Sequence, residues 1–92
     1  MGTIKVTVVN GYLYDIVEEF ICYNVDVSDK EEMEYCAEEC CAKFLDMHHD
    51  ALNVIDADWE TIEEHCAYMI EEVIDNVWCK QVSYGRWKDQ RF

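Results

Sequence analysis

Residues 59–80 read WETIEEHCAYMIEEVIDNVWCK, and the reading of this stretch decides the fold. Trp59, Ile62, Cys66, Met69, Ile70, Val73 and Val77 recur at three- and four-residue intervals, the spacing of one apolar helical face. Glu60, Glu63, Glu64, Glu71, Glu72 and Asp75 fall between them, and no Lys or Arg occurs before Lys80. The pattern predicts a long amphipathic helix over about 58–75, capped by Asp58 or Asp56. Its charge is costly. Glu71, Glu72 and Asp75 lie toward the C-terminal half, where the helix dipole disfavours anions. Glu60/Glu64 and Glu71/Asp75, like Glu34/Glu38 upstream, are i,i+4 pairs of like charge, each destabilising by about 0.2–0.5 kcal/mol. Solubility alone would be served by interleaved signs, so a single-sign field kept at this cost reads as a field that is used.

Upstream, Ser28-Asp29-Lys30-Glu31 has the form of a capping box. Met33, Ala37, Cys40, Phe44, Met47 and Ala51 then continue with a 3.6-residue period, which predicts a first helix ending near Asn53. The short connection 54–58 sets the two helices antiparallel. Further upstream, Ile4, Val6 and Val8 alternate with Thr3, Lys5 and Thr7, a strand pattern, followed by the hairpin-turn signal Asn10-Gly11. Residues 12–20 fit a helical face or a return strand; a hairpin strand over Tyr12–Val17 is expected. Residues 20–27 return to strand composition, with Ile21, Tyr23, Val25 and Val27 on one face. The expected fold is α+β: a small antiparallel sheet, made of an N-terminal hairpin plus a strand, covered by two long antiparallel amphipathic helices. One domain spans 1–92, with a basic-aromatic C-terminal segment, 82–92, holding Tyr84, Arg86, Trp87, Lys88, Arg91 and Phe92. Such a segment can stack on RNA; clamping back onto the acidic body is the reading favoured here.

The chain has 92 residues, 51% of them hydrophobic, no Pro and three Gly. That is enough apolar content for a modest core and too little turn chemistry for long linkers. The net charge of −14 argues against direct binding to nucleic acid or to an anionic membrane and favours basic partners. The N-terminal residues lack the pattern of a secretory signal, and no apolar run approaches the roughly 18 residues of a membrane span. The expected setting is cytoplasmic.

Six cysteines, Cys22, Cys36, Cys40, Cys41, Cys66 and Cys79, mostly fall at apolar helix positions, where a free cysteine acts as a small hydrophobe. Together with His48, His49 and His65 they could hold zinc, but no Cys-x2-Cys knuckle occurs. Asp46-Met47-His48-His49 offers a single copy of an element that di-iron bundles need twice. No cofactor or metal is expected. Phosphate loops, nucleophile elbows and HExxH are absent from the sequence, and nothing marks a pair such as Cys66 with His48. The chain reads as non-enzymatic.

Laid side by side, helices of roughly 37 Å at 1.5 Å per residue would carry about one acid per 2.5 Å, against ~1.7 Å per charge on duplex DNA. In the segments Glu31–Asp50 (EEMEYCAEECCAKFLDMHHD) and Asp58–Asp75 (DWETIEEHCAYMIEEVID), the chain resembles, in general character and without a shared motif, small phage-encoded inhibitors: DNA-mimic anti-restriction proteins and anti-CRISPR proteins. The resemblance implies stoichiometric blockade of a CRISPR or restriction nuclease, or of its guide complex, at a basic groove. The residues expected to stand in for phosphates are Glu34, Glu38, Glu39, Glu60, Glu63, Glu64, Glu71, Glu72 and Asp75. The alternatives are an interaction or oligomerising module in which the acids only solubilise, a homodimer included, and a metal-binding protein using Cys and His.

Overall fold

In the computed structural model of the chain, which describes residues 1–13 and 15–86, the alternation of Ile4, Val6 and Val8 becomes the buried side of β1 (Gly2–Asn10), where all three are wholly buried. β1 is flanked by β2 (Val17–Val25) on one side and β3 (Cys66–Asp75) on the other, and β3 pairs with β4 (Trp78–Arg86). All pairings are antiparallel and the order is β2-β1-β3-β4. Between β2 and β3 run α1 (Lys30–Met47), α2 (His49–Asn53) and α3 (Trp59–Glu64). The helical layer covers one face of the sheet. α1 sets Met33, Ala37, Cys40, Cys41, Phe44 and Leu45 into one core with Ile4, Val6, Val8, Tyr68 and Ile70, and Leu52 and Ile62 complete it.

The fold is therefore a four-stranded antiparallel sheet with three short helices, which overturns the expected sheet under two long helices. The decisive segment forms only six helical residues, Trp59–Glu64, before turning at His65 into a ten-residue strand. Asp58 caps that short helix as expected, its Oδ1 accepting from the Thr61 amide at 2.8 Å. Beyond it, Cys66, Tyr68 and Ile70 alternate into the core. Cys66 and Ile70 satisfy both a helical and a strand period, and the β-branched Ile70, Val73 and Ile74 favour the strand. The deciding term is non-local. A lone β1–β2 hairpin is marginal in water, and β3 supplies the second edge that makes β1 a central strand. As a strand, 66–75 also escapes the dipole and i,i+4 penalties that a helix would meet, because Glu71 and Glu72 point to opposite faces.

Smaller expectations are corrected as well. Among the described residues, Tyr12, Leu13, Asp15 and Ile16 are not in a strand; the Leu13 amide donates to the Asn10 carbonyl and the Ile16 amide to that of Leu13, both at 2.9 Å. Asn10-Gly11 is no two-residue primed turn, because no described glycine has positive φ. Asp29, not Ser28, caps α1: its Oδ1 accepts from the amides of Glu31 and Glu32, while Ser28 Oγ donates to Asp26. The expected first helix also breaks at His48, leaving α2 as a separate short piece. On β2, the register shifts between Gly2 and Ile4, and Asn24 takes φ 57°, a left-handed conformation that Asn tolerates at a bulge. The bulge puts Val25 into the core while Ile21 and Tyr23 face outward, splitting the face expected to hold all three.

Asn10, the buried polar residue at the end of β1, ties the layers together. Its Nδ2 donates to the Ile62 carbonyl (2.9 Å) and to Cys66 Sγ (3.2 Å), and its Oδ1 accepts from the Tyr12 amide (2.9 Å). Asn10→Ala would remove one of two bonds to the Ile62 carbonyl, which keeps the His65 amide, and would take the side-chain acceptor from the Tyr12 amide. The expected result is a loss of about 1–3 kcal/mol of unfolding free energy, seen as a lower urea midpoint at unchanged m-value. An unchanged midpoint would refute this role.

Candidate functional site

The nine carboxylates singled out by sequence divide into three groups. Glu34, Glu38 and Glu39 lie on α1 and Glu60, Glu63 and Glu64 on α3, all in the helical layer. Glu72 pairs with Ile4 across β3 and β1, so it points to the same side of the sheet. Glu71 points to the opposite, uncovered face and lies 3.5 Å from Lys5 Nζ. Asp75 is absorbed by the β3–β4 turn, where its Oδ1 accepts from the amides of Val77 and Trp78 at 2.9 Å. The two helical groups flank one core, which Cys41 of α1 and Ile62 of α3 both enter.

Local chemistry confirms the crowding of negative charge. The Tyr68 phenol is pushed well above its ordinary range by burial and then by the charge of Glu34, with Cys41 and Glu38 adding to it; its hydroxyl is buried without a partner. Residues 30–64 hold twelve acids against two lysines, Lys30 and Lys43. Among the described residues, one ion pair is formed there with a lysine, Lys30–Glu34 at 3.7 Å. The uncovered sheet face is different. Lys5 lies 3.2 Å from Glu19 and 3.5 Å from Glu71, and the hydrogen bond it donates to Glu19 chiefly holds its ammonium above the usual value.

The cysteines form contacts but no metal centre. Cys22 and Cys40 bring their sulfurs to 3.8 Å, and Cys36 neighbours Cys22. Burial, then Cys22, pushes the Cys40 thiol up to about 12, and burial likewise raises Cys36. Cys41 is raised by its bond to Cys66 and by burial. A thiol held protonated is a poor nucleophile and a poor ligand. Among the described residues, no group of three or more His, Cys, Asp or Glu is arranged to hold a metal ion. Cys66 and His48 do not pair: Cys66 bonds to Asn10 and Cys41, whereas His48 Nε2 bonds to Glu18 at 2.9 Å and its ring packs on Phe44.

Sequence reasoning missed the uncovered sheet face. Val9, Val17, Ile21, Tyr23 and Tyr84 are all exposed there, beside the half-buried Met69 and Val73. Two shallow depressions mark it. One of about 190 Å³ is lined by Thr7, Val9, Ala67, Tyr68, Met69 and Tyr84, and another of about 430 Å³ lies beside Ile21, Tyr23 and Val73. The available signal was the apolar residues at outward strand positions, hidden while 66–75 was read as helix. Of the basic-aromatic segment, Trp87, Lys88, Arg91 and Phe92 lie outside the described residues.

Comparison with protein-family models, with curated proteins and with solved structures finds no match to this chain. No helix among the described residues is long and apolar enough to cross a membrane.

The thiol environment makes a direct prediction. Iodoacetamide at neutral pH should leave Cys40, Cys41 and Cys66 unmodified in the folded protein and label all six cysteines in guanidinium, read by intact-mass and peptide spectrometry. Rapid native labelling of Cys40 would contradict the burial described.

Proposed function

We propose that this chain is a non-enzymatic binding protein. It presents the carboxylates of its helical layer to a basic groove of a nucleic-acid enzyme and blocks that groove as a phosphate mimic. The observation that supports this reading is the segregation of charge. The acids of the open sheet face share Lys5, whereas the acids of α1 and α3 have two lysines between them. Glu39, Glu60 and Glu64 are exposed where Arg or Lys can meet them, Glu39 accepting from the exposed Tyr35 hydroxyl, and Glu38 and Glu63 flank them. Glu71 and Asp75 contribute least, since one pairs with Lys5 and the other holds a turn. A CRISPR or restriction nuclease, or its guide complex, is the target class implied by the general resemblance to phage-encoded inhibitors, and the host-cell cytoplasm is the corresponding setting.

The breaking of the second helix lowers the density of the array. A rigid display of carboxylates on short elements around one core keeps the ordering cost of binding low. Steering by such a field raises association rates and falls steeply with salt.

The test is capture from a lysate of a bacterium bearing CRISPR and restriction systems, at ~100 mM and ~500 mM salt, where the Debye length falls from about 10 Å to roughly 4 Å. The expected partner is a basic nuclease or DNA-binding protein, released at the higher salt and displaced by added DNA. Glu39→Lys with Glu64→Lys should weaken that binding at least tenfold, and Glu71→Gln should change it less than about twofold, consistent with the small worth of an exposed charge already paired. A partner retained at high salt and indifferent to DNA would overturn the proposal.

A further inference from the structure

The uncovered face of the sheet is unlike the rest of the surface. Val9, Val17, Ile21, Tyr23 and Tyr84 are exposed on it, with exposures from 37% to 72%. Apolar surface exposed to this extent on a small protein, here toward the two ends of the face on either side of Lys5, Glu19 and Glu71, marks an interaction site. We infer that this face is the contact between two copies of the chain, stacked sheet against sheet with the helical layers outward. The inference rests on the open face and is independent of the anionic reading above.

Three observations select a second copy as the occupant. The first is area. Four strands of nine or ten residues, at about 3.3 Å per residue and 4.8 Å between strands, give a face of roughly 30 by 19 Å in plan. Covering that face on both partners removes on the order of 1,100 Å² even before side-chain relief is counted, close to the lower limit of specific interfaces. The second is charge. A basic partner has little to bind here, because Lys5 already engages Glu71 near the centre of the face and Glu19 at its β2 edge. Lys5 and Glu71 would be covered as a pair, which costs far less than burying a free charge, while Glu19, with 57% of its side chain exposed on the edge strand, keeps its carboxylate in water.

The third is shape. The two depressions both reach across β1 and β3 and lie toward opposite ends of the face, one bordered by Tyr84 on the edge strand β4 and the other by Tyr23 on the edge strand β2. A two-fold contact is self-complementary: residue i of one copy meets residue j of the other, and the reverse. Tyr84 of one copy can then seat by Tyr23 of the other, each supplying a protruding ring, at 66% and 72% exposed, and receiving one in return. Aromatic rings in such positions are effective anchors.

The charge of −14 per chain does not forbid the pairing. Stacked sheets sit about 10 Å apart and each helix is about 10 Å across. The outer acids of the two copies are thus separated by roughly 30 Å, about three Debye lengths at 0.1 M salt. The dimer would carry an anionic helical layer on each outer side.

Sedimentation equilibrium of the full chain at ~5–100 µM, in ~100 mM and ~500 mM salt, tests this. The expected mass is twice that of the 10.9 kDa chain, with association unchanged or strengthened at the higher salt, opposite to the salt response of the anionic layer. Ile21→Lys with Tyr84→Lys should raise the dimer dissociation constant at least tenfold, with the far-UV circular dichroism of the monomer unchanged. Val17→Lys, at the start of the edge strand β2 and 56% exposed, provides the same reading should the double variant fail to fold. Glu39→Lys should leave the dimer intact. A wild-type monomer across the range, or a dimer indifferent to these substitutions, would overturn the inference. So would a monomer that binds an apolar dye only after residues 87–92 are removed, which would assign the face to the C-terminal segment.

Discussion

The hydrogen bonds of Asn10 are the constraint from which the rest of the arrangement follows. A buried amide side chain at the end of the central strand must find partners, and these lie in the connection from α3 to β3. The Ile62 carbonyl and Cys66 Sγ accept from it, and the Gly11 amide donates to the His65 carbonyl at 3.0 Å. One side chain thereby fixes where the helical excursion ends, where β3 begins, and its register beside β1. Gly11 completes the junction through its size: a Cβ there would meet the His65 ring at 3.3 Å, a contact that requires the ring to give. Asn10 and Gly11 thus serve the β1–β3 junction as much as the β1–β2 loop.

With β3 held beside β1, the sheet has four strands and only one covered face. α1 is long enough to bury the β1 side chains and Tyr68, and α2 and α3 close the end of the core. The polypeptide has no further element among the described residues to cover the other side. Charge and apolar surface are consequently sorted by layer. Acids accumulate where helices face water, and Val, Ile and Tyr accumulate on the open side of the strands. The two surfaces suit different chemistry, and the opposite salt dependences of electrostatic and apolar contacts keep them experimentally separable.

The buried thiols and phenol belong to this same sorting. Cys40, Cys41 and Tyr68 lie in the core beneath the helical layer, where burial and Cys22 favour the neutral form of Cys40, the bond to Cys66 and burial that of Cys41, and burial and the charge of Glu34 that of Tyr68. Groups held neutral in this way pack as small or aromatic hydrophobes, and the core gains no unpaired buried charge beneath a surface that is already strongly negative.

The sequence by itself determined β1, the apolar face of α1, strand character over 20–25, the Asp58 cap and the concentration of acids over 30–64, because each is encoded by local periodicity or capping chemistry. Of the carboxylates it singled out on α1 and α3, Glu39, Glu60 and Glu64 are exposed. Only the tertiary structure decided residues 66–75. Cys66, Ile70 and Val73 satisfy a helical period as well as they satisfy a strand, and the choice depends on the hydrogen bonds offered by β1, more than fifty residues away in sequence. That choice moved Glu71 to the side of Lys5, gave Asp75 to a turn, and created the apolar face. Non-local backbone pairing leaves no signature in the spacing of neighbouring residues, and so the open face could be read only once the strands were side by side.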